Sequence, residues 1–370
     1  MIVVHTCVMD NCQTRPTLPR IRVLFDTTYA HRQDGTGRYT REMLRCLQKD
    51  RDLHVLATRA PRIERLHRSA RAPVNGAAHF LWSQIWLPVL SRLRNVHIVH
   101  TMMIAPRFSP VPTVVTIHDA LDFHPRYSPS RLWSTYVRTI GGLGARHADA
   151  VVTVSNAAAW DISQHFRVPA DVIRVISNAS NLHETQPIAI PSIGDRRFFL
   201  FVGDDSTRKN LSVAIAALER LRLNASGVEL VVTGSIASDL ADGRPWLHTL
   251  GGISDPELVW LYQNAVALIL PSHYEGFGLP LLEALTFHTP IVASSIPALL
   301  EVGGKAARYV AADDPASFAK ELQVILGDPH SARAQASAAV DPHDTTWERA
   351  SDELVGVYLA VLCAHWGVAR

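Results

Sequence analysis

The sequence predicts two doubly wound α/β domains facing each other across a cleft. Three observations carry this. The chain has 370 residues, too many for one ordinary core, so two domains are the natural partition. From Ile21 onward, short β-branched apolar runs alternate with amphipathic segments, as in a parallel sheet covered on both faces by helices. The alternation stops in a polar, proline-bearing stretch at residues 178–197 (NASNLHETQPIAIPSIGDRR) and then restarts.

The elements follow in order. IRVLFD reads as a strand, TTYAHRQDGTG as a loop and RYTREMLRCLQK as a helix. LHVLAT, VHIVHT, TVVTIHD, AVVTVS and VIRVIS are further strands of the first half, with helical patterns between most of them. After the linker, RFFLFVG is a strand. KNLSVAIAALERLR is a helix with Leu211, Ile215, Leu218 and Leu221 on one stripe. VELVVTG, AVALILP, PIVAS and ARYVA supply more strands. DDPASFAKELQVIL starts a helix cleanly, with Asp314 as N-cap and Pro315 at the first helical position.

Composition bounds the function. With 47% apolar and 19% charged residues the chain is globular, and no apolar run reaches bilayer length. The start, MIVVHTCVMDNCQTRP, has no basic leader and no small-residue cleavage pattern, and reads as an extension before the first strand. Cys7, Cys12, Cys46 and Cys363 lack metal-ligand or disulfide-framework spacing, which fits reduced thiols and a cytoplasmic location. Residues 1–185 hold 23 Lys+Arg against 13 Asp+Glu, a balance of +10; the remainder holds 13 against 21, or −8. A basic half joined to an acidic half suggests that the first half faces something anionic. The sequence carries no nucleic-acid motif.

The chemistry concentrates in PSHYEGFGLPLLEAL, residues 271–285. A strand ends near Pro271, SHYEGFG turns, and Leu279-Pro280 begins a helix. Gly276 and Gly278 permit close approach of a ligand to the backbone, where free N–H groups favour an anion or hydroxyl oxygens. Glu275 lies in the loop and Glu283 one turn into the helix. Either alone is more often a solvated surface residue, but apolar and glycine neighbours crowd both. Carboxylates accept hydrogen bonds in pairs, so the spacing suits a ligand with two polyhydroxyl ends and an anionic middle, as in a nucleotide sugar. Arg208 and Lys209 sit at a strand-to-helix turn. Cations gain nothing from a helix N-terminus unless they share an anion with its N–H groups. His118-Asp119 ends the strand TVVTI; a lone histidine is usually structural, but a strand's carboxyl end is where ligands bind in such sheets.

These motifs resemble a known family. EGFGLPLLEA is similar to the E-x7-E signature of retaining GT-B glycosyltransferases of family 4. DGTGRYTREML, FLWSQIWLPVL, VVTIHDALDFHPRYSPSR, ARHADAVVTVSNAA, FVGDDSTRKNLSVAIAAL, ISDPELVWLYQNAVALILPSHYEGFGLPLLEAL and TPIVASSIPALLEV follow in the family's order, over nearly the whole chain after residue 20. The resemblance implies a GT-B fold with an extension at 1–20, an acceptor-side Rossmann-like domain at 21–185, a nucleotide-sugar donor domain at 186–345, and a terminal helix at 346–370 crossing back to the first domain. It implies that Arg208 and Lys209 hold the donor diphosphate, that Glu275 orients the sugar, and that His118 reaches the sugar near the reaction centre. Glu283 would hold the ribose. Gly35, Gly37, Ile253, Gly276, Phe277, Gly278 and Leu279 would complete the donor site. Three departures stand out: Asp204 where the family often has Arg, TFH at 286–288 and SNA at 177–179.

The expected reaction is transfer of a sugar, of mannose or rhamnose type, from a nucleotide diphosphate sugar to a hydroxyl of a glycan or lipid-linked acceptor, in bacterial lipopolysaccharide or exopolysaccharide assembly. Retention by front-face attack leaves Glu275 no nucleophile's role, although two carboxylates invite one. With no D-x-D motif in a donor loop, cationic side chains and helix N–H groups neutralise the diphosphate, and no cofactor or metal is required. The alternatives are a GT-B epimerase or phosphorylase, and a non-catalytic binding protein for a nucleotide sugar or an anionic polymer. Arg59, Arg62, Arg65 and Arg68 recur at spacing three before FLWSQIWLPVL. Such a pattern suits peripheral contact with an anionic inner membrane face, although Trp82 and Trp86 fit core packing better. Donor-site acids in an open cleft are expected to tolerate substitution without loss of folding.

Overall fold

The computed structural model describes residues 20–62, 68–127, 130–222, 227–234, 236, 240, 243–337 and 345–367, with backbone only for 68–73. The N-terminal extension with Cys7 and Cys12, and Arg65, lie outside the described residues, as does the side chain of Arg68.

The first half builds a sheet from β1 (Ile21–Asp26), β2 (Leu53–Thr58), β3 (Ile98–Met102), β4 (Thr113–Thr116), β5 (Ala150–Thr153) and β6 (Ile173–Val175). Its order is β2-β1-β3-β4-β5-β6, with every pair parallel. The helices of this half are α1 (Gly35–Lys49), α2 (Arg68–Leu81), α3 (Leu87–Leu93), α4 (Arg131–Tyr136), α5 (Gly142–His147) and α6 (Asn156–Phe166). Single π turns at Trp82–Trp86 and Val137–Gly141 join α2 to α3 and α4 to α5.

The second half repeats the plan with β7 (Arg197–Val202), β8 (Val228–Thr233), β9 (Leu247–Gly251), β10 (Ala267–Leu270), β11 (Ile291–Ser294) and β12 (Arg308–Val310). Its order is β12-β11-β10-β7-β8-β9, again all parallel. Its helices are α7 (Leu211–Arg222), α8 (Asp255–Asn264), α9 (Leu279–Thr286), α10 (Pro297–Gly303), α11 (Pro315–Gly327) and α12 (Pro329–Ser337), and α13 (Trp347–Trp366) ends the chain. This is the two-sheet, doubly wound architecture of the GT-B fold.

Central strands of both sheets are buried on both faces, which is why they read as unbroken apolar runs. Leu211, Ile215, Leu218 and Leu221 pack together beneath β7 and β8 in one core cluster. Asp314 accepts from the backbone of Ala316 and Ser317, giving α11 its expected cap. Thr346 caps α13 in the same way through Arg349 N. Trp347, Leu354, Tyr358 and Leu362 of α13 enter the same core cluster as Tyr39, Met43 and Leu47 of α1. Each large apolar side chain buried there is worth about 1.5–3 kcal/mol, so the terminal helix is fastened to the first half.

Two elements differ from expectation. Strand β9 has no clear sequence signal because it lies at an edge and buries only Leu247 fully. Helix α1 begins at Gly35, three residues before the expected start, because Asp34 accepts from Gly37 N at 3.0 Å and caps the helix there. Gly35 and Gly37 therefore occupy its first turn and not a loop.

Candidate active site

The carboxyl ends of β4 and β10 face one another, and the site grows from the loops that leave them. Residues 271–278 leave β10 as a turn that ends at Gly278, whose φ of 100° lies in the left-handed region. Pro280 then sits in the first turn of α9, preset for helix. The turn is fixed from several sides. His273 N donates to Arg208 O at 2.9 Å. Ser155 Oγ donates to Gly276 O at 2.6 Å. Tyr274 Oη donates to Asp161 at 2.8 Å and accepts from Ala120 N at 2.9 Å. The turn thus rests on the first domain. A Cβ on Gly276 would stand 2.3 Å from His118 O, so this glycine answers to a backbone contact between domains. A Cβ on Gly278 would meet Leu299 at 2.5 Å.

Glu275 is the centre of an ion triad. Its side chain is 8% exposed. One oxygen accepts from Lys209 Nζ at 2.7 Å and from Ser272 Oγ at 2.8 Å. The other accepts from Arg208 Nη1 at 2.8 Å. Burial alone would raise its proton affinity, but Lys209, Arg208 and the hydrogen bonds overcome it and hold the carboxyl at about 2. Arg208 and Lys209 occupy the turn before α7 and come from β7, adjacent to β10 in the sheet. Asp204 turns its carboxylate onto Ser206, accepting from N and Oγ.

Glu283 is buried at 4% exposure and has both oxygens engaged. Arg38 Nη1 donates to one at 2.9 Å and Tyr262 Oη to the other at 2.8 Å. Arg38 also pairs with Asp255. Burial pushes the Glu283 carboxyl up, against the pull of Arg38 and Tyr262. The expectation that both acids stand in an open cleft is corrected here: each is buried and ion-paired, because the turn and α9 pack directly on the first domain.

His118 follows β4 and lies edge-on to Tyr39, with ring centroids 4.8 Å apart. Its Nε2 is buried without a hydrogen-bond partner among the described residues, and desolvation lowers its pKa to about 4. Asp119 is half-buried and accepts from Leu121 N at 2.9 Å. Gly35 faces the α9 entry, where a Cβ would touch Leu279 Cδ1 at 3.0 Å; a Cβ at Gly37 would stand 2.0 Å from Arg32 O. Phe277 is 7% exposed in an apolar cluster with Val154, Ala158 and Leu282, so its ring fills the seam between the domains. Ile253 is half-buried at the edge of the second-domain core. Glu301 of α10 accepts from the backbone N–H groups of Asn156 and Ala157, capping α6 across the same seam.

The structure brings His118, Glu275, Arg208 and Lys209 to one seam, with Ser272 on Glu275, Tyr274 on Arg208, and Arg38 and Tyr262 on Glu283, four partners the sequence does not single out. Arg38 had a signal, as the cation directly after the glycines of DGTGRY, and Tyr274 immediately precedes Glu275. Tyr262 had none, since it reads as one more core aromatic of α8.

Comparison with known proteins fits this geometry. Residues 33–184 match the family described as Glycosyltransferase Family 4, and residues 183–340 match Glycosyl transferases group 1. A glycogen synthase of Mycobacterium tuberculosis is 30% identical over 294 residues, covering 74% of this chain and 69% of that protein. The chain belongs to the group 1/family 4 glycosyltransferases. The O-antigen chain mannosyltransferase RfbU of Salmonella typhimurium is 28% identical, covering 57% of this glycosyltransferase and 60% of RfbU. Among solved structures, sucrose-phosphate synthase of Thermosynechococcus elongatus superposes with a TM-score of 0.73 at 17% identity, covering 93% of this chain and all of the other (100%). Anabaena HepE in complex with UDP-glucose gives 0.64 at 14% identity, covering 94% and 100%. At such identities these structures speak for the GT-B fold. Among the described residues, no helix is long and apolar enough to cross a membrane.

Proposed function

We propose that this glycosyltransferase moves a hexosyl group, of mannose or rhamnose type, from a nucleotide diphosphate sugar to a hydroxyl of a glycan or lipid-linked acceptor, with retention of configuration, in bacterial surface-polysaccharide assembly. The observation that carries the reading is the buried triad of Arg208, Lys209 and Glu275 at the end of β10, against the His118 loop of the opposite domain. Two cations fixed a residue apart on a rigid turn suit a diphosphate, and the leaving group's growing charge is met by groups already in place. Mannosyltransferases among the relatives and the UDP-glucose held by HepE support the donor class.

In this account the diphosphate competes with Glu275 for Arg208 and Lys209. The carboxylate, held ionised, then turns its charge toward the positive character that develops on the sugar. Glu283 exchanges Arg38 for ribose hydroxyls while Tyr262 keeps its second oxygen aligned. His118 is neutral at pH 7, and so acts as a hydrogen-bonding group to the sugar and not as a cation. Arg208 and Lys209 supply the counter-charge, so no metal or other cofactor is needed. The leaving phosphate takes the acceptor proton. Thermal-shift measurements against UDP, GDP, TDP and ADP sugars test the reading: the true donor stabilises the fold by about 2.7 kcal/mol at a hundred times its Kd. Equal melting curves across the panel would count against it.

A membrane-facing acceptor side is favoured by one further observation. Leu81, Ile85, Trp86, Val89 and Leu93 are all exposed along the α2–α3 segment, with Phe80 and Val74 beside them. Trp82 is buried as expected, but Trp86 is 49% exposed, because this segment turns Trp82, Leu87 and Leu90, and not Trp86, onto the cluster formed by Leu24, Val96 and Val99. Arg59, Arg62, Arg92, Arg94 and Arg107 are exposed in the same half. An exposed apolar stripe in a half that also exposes several arginines suits the headgroup layer of an anionic leaflet on the cytoplasmic side. Flotation with neutral and anionic vesicles tests this, and equal recovery on both would remove the electrostatic part.

A further inference from the structure

Behind the Glu275 turn, on the first-domain side, lies a cluster that the transfer reaction does not use. Asp161 and His165 stand four residues apart on α6, and therefore on one face of that helix. His124 follows the short turn Leu121–Phe123 and meets them from above, its ring edge-on to His165 at 5.3 Å. One donor atom from each of the three residues lies within 4.8 Å of the other two. Metal–nitrogen bonds of about 2.0–2.1 Å in a tetrahedral site place ligand atoms roughly 3.3 Å apart, so side-chain rotation of about 1 Å would close the set.

We propose that His124, Asp161 and His165 form a binding site for a borderline transition-metal dication of the zinc type, with solvent completing the coordination. Two imidazoles and one carboxylate select zinc-like ions over magnesium or calcium, which prefer all-oxygen sets. His124 Nε2 is buried and has no hydrogen-bond partner among the described residues, so a lone pair or N–H there is unanswered without a ligand. The surroundings supply what metal ligands usually have. His165 stacks on Phe123 at 5.1 Å, and His124 leans on the Tyr274 ring at 4.8 Å. Tyr274 Oη donates to Asp161 Oδ2 at 2.8 Å. An outer partner of this kind orients a ligating carboxylate.

The position gives the site a consequence. Tyr274 precedes Glu275 and accepts from Ala120 N, two residues after His118. A dication on Asp161 would fix the residue that joins the Glu275 turn to the His118 loop. The site would act as a clasp between the two loops, without touching the donor.

The test uses the full chain, stripped with a chelator and titrated with Co2+ and then Zn2+. The expected result is one tight equivalent, intense visible absorption from four-coordinate Co2+, and its loss on Zn2+ addition. His165→Ala and His124→Ala should each weaken Zn2+ binding about 100-fold or more, since outer partners alone are worth about 10–100-fold. His330→Ala, an exposed position elsewhere, should change nothing. Where an alanine variant fails to fold by circular dichroism, His165→Gln and His124→Gln replace it. Zn2+ should also raise the Tm of the wild type and not of the His124/His165 double variant. Wild-type binding no tighter than that of His165→Ala, or Co2+ spectra unaffected by either substitution, would overturn the proposal.

Discussion

Replacing Glu275 by glutamine keeps the shape and removes the charge that two buried cations share. In the wild type, Lys209, Ser272 and Arg208 all donate to this one carboxylate. A glutamine offers one acceptor oxygen, and its amide nitrogen must face either Lys209 or Arg208 as donor against donor. Lys209 and Arg208 are 10% and 22% exposed at the side chain, so water cannot fully replace the lost partner. The magnitude follows by two routes. The carboxyl is held at about 2 against an ordinary 4.5. At about 1.4 kcal/mol per decade that is roughly 3 kcal/mol of native-state stabilisation, present above pH 4.5 and lost as pH falls toward 2. Independently, breaking a buried ion pair by removing one partner costs about 3–5 kcal/mol. Glu275→Gln should therefore lower unfolding free energy by about 3 kcal/mol at pH 7, a large share of the usual ~5–15 kcal/mol. Urea denaturation of the unliganded protein is the assay. Saturating nucleoside diphosphate should narrow the gap, because the phosphate oxygens replace the missing charge. A variant as stable as wild type within about 0.5 kcal/mol would refute the reasoning.

Other predictions follow from the same contacts. Glu283→Gln should mainly raise donor KM, by about one to two decades for a charged contact, and steady-state kinetics with kcat lowered and KM unchanged would refute the ribose role. Gly276→Ala should be far more damaging than Gly35→Ala, because the first puts a methyl against the His118 carbonyl and the second against the movable end of Leu279; paired Tm and activity measurements that rank them the other way contradict the seam. Burial holds His79, His100 and His118 to about 4, 3 and 4, so the unfolded chain binds protons first and stability falls as pH drops below about 6.5. Each contributes about 1.4 kcal/mol per pH unit between roughly pH 6 and 4, offset in part by Asp26, Asp119 and Glu283, whose raised pKa values act oppositely. Denaturation curves that coincide at pH 7 and pH 5 would oppose this.

The fold was largely legible because parallel strands buried on both faces cannot hide their apolar runs, as in FFLF of β7 or VVT of β5. Strand β9 escaped because an edge needs only Leu247 inside. The start of α1 escaped because GTG reads as a loop, while Asp34 caps a helix through it. Glu275, Arg208 and Lys209 could be chosen from their places at strand ends. Their mutual pairing could not, because it depends on β7 lying beside β10 in the sheet, an order the sequence does not display. Arg38 and Glu283 are separated by 245 positions, and only the docking of α9 on α1 brings them together. Gly276 was read as room for a ligand, whereas the space is taken by the His118 backbone.

The most direct measurement is acceptor-dependent transfer, followed by release of nucleoside diphosphate and by the anomeric proton signal of the product. The account predicts release only when donor and acceptor are both present, a product with the donor's anomeric configuration, and loss of turnover in Lys209→Ala with the fold retained. Product of inverted configuration, or transfer that proceeds unchanged in Lys209→Ala, would contradict it.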